Sequence, residues 1–138
     1  NCLMSRDLTA FLAASAPREN LRLLVSERFV DEQGQPQLWE LQPLTAADWQ
    51  ELLLAAARQE EIGHKLRFND IFLQLLVKSV VWPDLNSVEL QDSYGVLGAE
   101  QLLLKMLSPG EYQALQQAFE RLNLQSQTAE AHLGAAKN

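Results

Sequence analysis

The sequence predicts an α+β domain that is mainly α, with an N-terminal antiparallel β-hairpin followed by a small bundle of three to four helices. Three observations carry this expectation. Two short runs, "LRLLVSERFV" and "QLWELQPL", place apolar residues at every second position and flank a turn containing glycine and proline. Several later segments repeat apolar residues at helical spacings. Two of those segments open with a capping box, a Ser or Thr followed three positions later by an acid that returns the hydrogen bond.

Taken in order, the elements are these. Residues 1–20 predict a helical arm, a short helix capped near Asp7 and ended by Pro17. The hairpin occupies 21–43. Leu21, Leu23, Val25 and Phe29 keep the strand period, "DEQGQP" turns the chain through Gly34 and Pro36, and Trp39 and Leu41 alternate on the return. A lone hairpin is marginal in water, so it must lean on helices or on a second copy.

Residues 45–122 hold the helices. Thr45 and Asp48 form the first capping box, and Trp49, Leu52, Leu53 and Ala56 line one face behind it. "EIGHKLRF" around Gly63 reads as a linker, after which Asn69 caps a helix through "DIFLQLLVKSVVW" that Pro83 stops. Its buried stripe is Ile71, Phe72, Leu75 and Leu76. In "SYGVLGAEQLLLKML", Gly95 and Gly98 turn the chain into a helix from Ala99 to Leu107, with Leu102, Leu103 and Met106 on one face. Ser108, Pro109 and Glu111 open the last helix, whose stripe is Tyr112, Leu115, Phe119 and Leu122. Residues 1–124 thus read as a single domain, and 125–138 as a flexible tail, polar and alanine-rich.

Composition narrows the function. An apolar share of 47% suits a globular domain. The formal charge of −7 repels a phosphate backbone, and no Lys/Arg cluster offers a local exception, so nucleic acid is not an expected partner. Cys2 is the only cysteine, which rules out an internal disulfide and a thiolate metal cage. No apolar run reaches the roughly 18 residues that span a bilayer, so no membrane association is expected. These features describe a soluble, acidic, intracellular domain.

Catalytic constellations are missing from the pattern. "GVLG" at 95–98 precedes a helix but lacks the lysine and hydroxyl residue of a phosphate loop. His64 and His132 stand alone, outside any metal-binding pair. Cys2, Ser26 and Ser93 sit in no nucleophile motif, and Glu60–Glu61 reads as a solvated helix end. No cofactor, metal or enzymatic activity is expected. What stands out is apolar helical surface in excess of what a small domain encloses. Part of it therefore meets another chain, with Trp49, Leu52, Leu53, Phe72, Leu75, Leu103 and Met106 as candidates for partner binding.

Several of these segments, in this order, form a recognisable set: "SERF" at 26–29, "DEQGQP" at 31–36, "WEL" at 39–41, "PDL" at 83–85, "LQDSYGV" at 90–96, "GAEQLLLKML" at 98–107 and "PGEY" at 109–112. Together they resemble the tail assembly chaperone family of long-tailed bacteriophages and PBSX-like prophages, over about residues 24–120. The resemblance implies a non-enzymatic protein of the bacterial host cytoplasm, phage- or prophage-encoded. It would bind and solubilise the tape measure protein during tail morphogenesis, help recruit tail-tube subunits, and be absent from the finished virion. Self-association is a further partner to test.

Leu and Met side chains repack readily against varied apolar helices, and a strong negative charge holds loaded complexes apart. The alternative is a structural tail-tube or tail-completion subunit, whose hairpin would supply edge strands to a ring. A small enzyme, or an acidic mimic of nucleic acid, fits less well because the acids are scattered among apolar positions.

Overall fold

Alternation in the first third of the chain builds a sheet, and the computed structural model, which describes residues 6–63 and 68–125, shows it to have three strands. Strand β1 (Leu21–Leu23) pairs antiparallel with β2 (Trp39–Leu41), Leu21 opposite Leu41 and Leu23 opposite Trp39. On its other side β2 pairs antiparallel with β3 (Val80–Trp82), the register shifting between Glu40 and Leu41. Trp39 and Leu41 face inward and are buried, while Glu40 faces outward beneath Arg22, Nε–Oε1 2.9 Å. The amide of Asn20 first, and then Arg22, hold the Glu40 carboxyl below its usual range.

The strands are shorter than the alternation predicts. β1 ends at Leu23, and residues 24–38 form a loop stitched by a Val30–Pro36 bridge. Asp31 organises its tip, Oδ1 accepting from the N–H groups of Gln33 and Gln35, both at 2.9 Å. Phe29 returns to the core edge against Trp39, ring centroids 5.9 Å apart. The predicted N-terminal helical arm is also reduced. Among the described residues it is one 3-10 turn, Leu8–Phe11, capped by Asp7 and ending well before Pro17, and it buries nothing.

Helix α1 (Ala46–Glu61) opens with the expected box, Thr45 and Asp48 exchanging both hydrogen bonds. Helix α2 (Phe68–Ser79) already contains Asn69, which is therefore not its cap. It also stops at Ser79, before "VVW", which is the edge strand β3 and not the end of a helix. The Gln42 N–H donates to the Ser79 carbonyl at 2.7 Å, and the Gln42 side chain donates to Lys78 O at 3.0 Å. Gln42, just past the end of β2, thus takes up the carbonyls with which a longer α2 would have continued. The Trp82–Pro83 bond is cis.

A short helix α3 (Val88–Ser93), capped by Ser87, falls in a stretch for which the sequence predicts no element. Helix α4 (Ala99–Met106) begins at Gly98 and α5 (Pro109–Asn123) at Ser108, the latter with the full capping box. The described residues thus contain five α-helices against the three to four expected, and the fold class is α+β, mainly α.

One apolar core joins these elements. α2 lies at its centre, touching α1, α4, α5 and β3, while β1 leans on α5. Leu41, Leu76, Leu102, Leu103 and Leu115 are completely enclosed, with Leu75 and Phe119 almost so. Phe72 meets Phe119 edge to face at 5.2 Å. Among the described residues Ser79 is the one buried polar residue, and its hydroxyl donates to Leu76 O at 2.7 Å. Of the expected tail at 125–138, residues 126–138 lie outside the described residues, as do Cys2, His64 and His132.

Candidate functional site

The apolar stripes read from the sequence divide once folded. Leu103 is fully enclosed, Leu75 and Met106 nearly so, and Phe72 is buried, because the stripes of α2, α4 and α5 face one another. Trp49 and Leu52 pack half-buried on the edge of that core, and Leu53 lies at the surface of α1. The seven candidates therefore form no single continuous surface. Two of them, Trp49 and Leu75, come together in a cleft.

This cleft, about 280 Å³, opens where the β2–α1 connection, α1, α2 and the end of α5 converge. Its walls are apolar: Leu44, Trp49, Leu75, Phe119 and Leu124. Leu75 and Phe119 form the buried floor, whereas Leu124 is half-exposed at the rim. Capping geometry sets the entrance. The Thr45–Asp48 box fixes the first turn of α1, and Trp49 follows on that turn. The Asp48 carboxyl is held below its usual range first by the Thr45 backbone N–H and then by Lys78, whose Nζ lies 3.2 Å away. That ion pair also ties α1 to α2 beside the cleft.

The polar side chains of Arg18, Thr45, Gln50 and Asn123 complete it. Asn123 Oδ1 accepts from the Leu44 N–H at 2.7 Å, and the Arg18 guanidinium donates to the Leu44 carbonyl. Because Oδ1 must face Leu44, the other end of the Asn123 amide is the donor. That Nδ2 is buried and has no hydrogen-bond partner among the described residues. A buried, unmatched donor costs on the order of 1–3 kcal/mol, which an acceptor brought by a partner would recover. The arrangement offers an apolar socket with one orphan donor, a shape for anchoring side chains and a backbone carbonyl.

Sequence reasoning missed Arg18, Leu44, Asn123 and Leu124. They sit at element ends, where no periodicity marks them. Met106 lines the inner wall of a separate cavity of about 230 Å³, shared with Leu38, Trp39, Trp82 and Tyr94.

Gly95 and Gly98 both have positive φ, +66° and +102°. The Gly98 N–H is held by Gln91 Oε1 at 3.0 Å, and the two glycines deliver α4 to the core as a turn and a helix start. Among the described residues no group of three or more His, Cys, Asp or Glu side chains comes together to hold a metal, and no helix is long and apolar enough to cross a membrane.

Comparison with known proteins now places this fold. The crystal structure of the protein yqbn superposes with a TM-score of 0.71 at 22% identity, over 88% of this chain and 99% of that one, which shows a shared fold. Comparison with curated protein sequences gives no match. The family model for Phage XkdN-like tail assembly chaperone proteins matches residues 8–131. With that match running over nearly all of the sequence, from the 3-10 turn past the end of α5, the chain belongs to the XkdN-like phage tail assembly chaperone family.

Proposed function

We propose that this chaperone acts by binding and not by catalysis, holding an apolar helical segment of the tape measure protein against the Trp49–Leu124 cleft. The observation that carries the reading is the cleft itself, five apolar walls around a buried amide donor without a partner. Its volume suits anchoring side chains and not a whole helix, whose diameter is about 10 Å or more. A helix lying across the mouth would insert its apolar stripe and leave its polar face in water. Leu53, one turn beyond Trp49 and exposed on α1, lengthens the apolar track beyond the cleft.

In this reading the chaperone keeps the tape measure protein soluble in the host cytoplasm, assists recruitment of tail-tube subunits and does not enter the finished virion. Co-expression with the tape measure protein of the same genome tests it. Soluble tape measure protein that co-purifies only in the presence of this chain is the expected result. If the tape measure protein stays insoluble while this chain purifies alone, or if this chain is abundant in purified virions, the reading fails and the structural-subunit alternative takes its place.

A further inference from the structure

We infer that the face around Trp82 is a second docking surface, and that its occupant is a partner segment carrying a lysine or arginine beside an apolar side chain. Trp82 ends the edge strand β3 and is 55% exposed, unusual for the largest apolar side chain in the chain. Cavities open on either side of it, and Trp82, Pro83 and Leu90 line both. The larger, about 530 Å³, adds the carboxylates of Asp84 and Glu89. The smaller, about 230 Å³, is closed by Leu38, Trp39, Tyr94 and Met106.

Among the described residues, the charged side chains that line the larger cavity are both acids, Asp84 and Glu89. Among the described residues, neither cavity is lined by a lysine or arginine. Arg28 stacks on Phe29 at the wall of the smaller cavity and is already paired with Glu111. Of the two acids, Asp84 accepts the Asn86 N–H on Oδ1 at 3.0 Å, which fixes the carboxylate without neutralising it. The hydroxyls of Ser87 and Ser93 are consumed within α3, on the N–H and carbonyl of Leu90.

An indole face beside uncompensated carboxylates attracts a cation both through the ring quadrupole and through charge. A guanidinium or ammonium can lie on Trp82 with its charge toward Asp84 and Glu89, while a neighbouring apolar side chain enters the cavity over Met106. A second copy of this chain is a poor occupant, because it brings the same acidic rim and a net charge of −7. Nucleic acid is excluded by the same sign. The inference does not rest on the reading of the Trp49–Leu124 cleft.

The test uses the full chain and a capped peptide of alternating arginine and leucine, with its glutamate–leucine counterpart. The Trp82 indole N–H, assigned from the spectrum of Trp82→Phe, is followed by NMR. Saturable movement with the arginine peptide and none with the glutamate peptide is expected. Asp84→Asn combined with Glu89→Gln should weaken binding about tenfold. Asn at 84 keeps the acceptor for Asn86, and an otherwise unchanged spectrum certifies the fold. Glu60→Gln with Glu61→Gln removes the same charge from the far end of α1 and should leave affinity nearly unchanged, since distant exposed charges are screened.

Three results would each overturn the inference: no saturable shift, equal weakening by the control pair, or an unweakened Asp84/Glu89 variant. A concentration-dependent dimer abolished by Trp82→Ala would overturn it too, and would assign the face to a second copy.

Discussion

Arg28 and Glu111 lie 83 positions apart in the chain and meet as a two-pronged ion pair, Nε to Oε2 at 2.9 Å and Nη2 to Oε1 at 2.8 Å. The same guanidinium donates to the Met106 carbonyl at the end of α4. The same carboxylate accepts the Ser108 N–H at 2.8 Å, closing the capping box of α5. One side-chain pair thus fixes the loop after β1, the end of α4 and the start of α5 relative to one another.

This junction predicts a specific acid sensitivity. Hydrogen bonds from Arg28 above all, then from the Ser108 N–H and the Ser26 hydroxyl, hold the Glu111 carboxyl far below the usual carboxylate range. A depressed folded-state pKa adds stability above the unfolded value of about 4.3 and loses it as pH falls from there toward the folded value. Glu111→Gln should therefore cost roughly 0.5–1 kcal/mol at neutral pH, a range kept low by the half-exposed Arg28. The gap to the parent protein should narrow as pH drops below about 4. Urea unfolding of both proteins at neutral and acid pH measures it, and a gap that does not change with pH would remove the ion pair as its cause.

Gly98 predicts a second effect. Its φ of +102° and ψ of 151° lie where only glycine rests easily, although a Cβ there would meet nothing closer than Glu100 Oε2 at 4.0 Å. Gly98→Ala should destabilise the fold by about 1–3 kcal/mol through backbone strain alone. Gly110, in the first turn of α5, has open space around its Cβ position and no positive φ. Gly110→Ala should be neutral or stabilise by up to about 1 kcal/mol. Comparing the two by urea denaturation separates conformation from crowding, and equal effects would refute the assignment.

What the sequence made legible follows from how local each signal is. The Thr45–Asp48 and Ser108–Glu111 boxes involve residues three apart and formed as read. β3 was hidden because "LQLLVKSVVW" is a mostly apolar stretch that suits a buried helix or a strand equally. What ends α2 there is Gln42, a residue 37 positions before Ser79 in the chain. α3 is too short to show a period. In "LRLLVSERFV" the alternation continued past Leu23, but Val25 and Phe29 reach the core from a loop. The stripe of a helix looks the same whether it meets its own fold or a partner, so Leu103 and Trp49 were indistinguishable until folded. The cleft residues Arg18 and Asn123 depend on contacts to Leu44 that no local pattern encodes.

Asn123 ties the end of α5 to the start of α1, and its removal predicts a measurable loss. Asn123→Ala leaves the part-buried Leu44 N–H without its acceptor and should cost about 1–3 kcal/mol. Asn123→Asp keeps an acceptor for Leu44 and should cost less. It also removes the orphan donor from the cleft, so tape measure capture should weaken even where stability is retained. Unfolding curves and co-purification yields on the same two variants separate these effects. Undiminished capture by a folded Asn123→Asp would show that Nδ2 takes no part in binding.

The strongest prediction contrasts two leucines with opposite burial. Leu103 is fully enclosed, and Leu103→Ala should cost about 2–5 kcal/mol by opening a cavity in the core. Leu124 is 52% exposed on the rim of the cleft, so Leu124→Lys should change stability by no more than about 0.5 kcal/mol. If apolar tape measure segments seat in this cleft, a lysine at 124 puts a charge where they must pack, and the co-purified yield should fall severalfold while circular dichroism and melting temperature stay at parental values. Leu103→Ala should do the reverse, lowering the melting temperature while retaining capture at temperatures where it remains folded. A folded Leu124→Lys protein with undiminished capture would move the docking surface away from this cleft, because Leu124 stands on its rim, where a seated segment must pack.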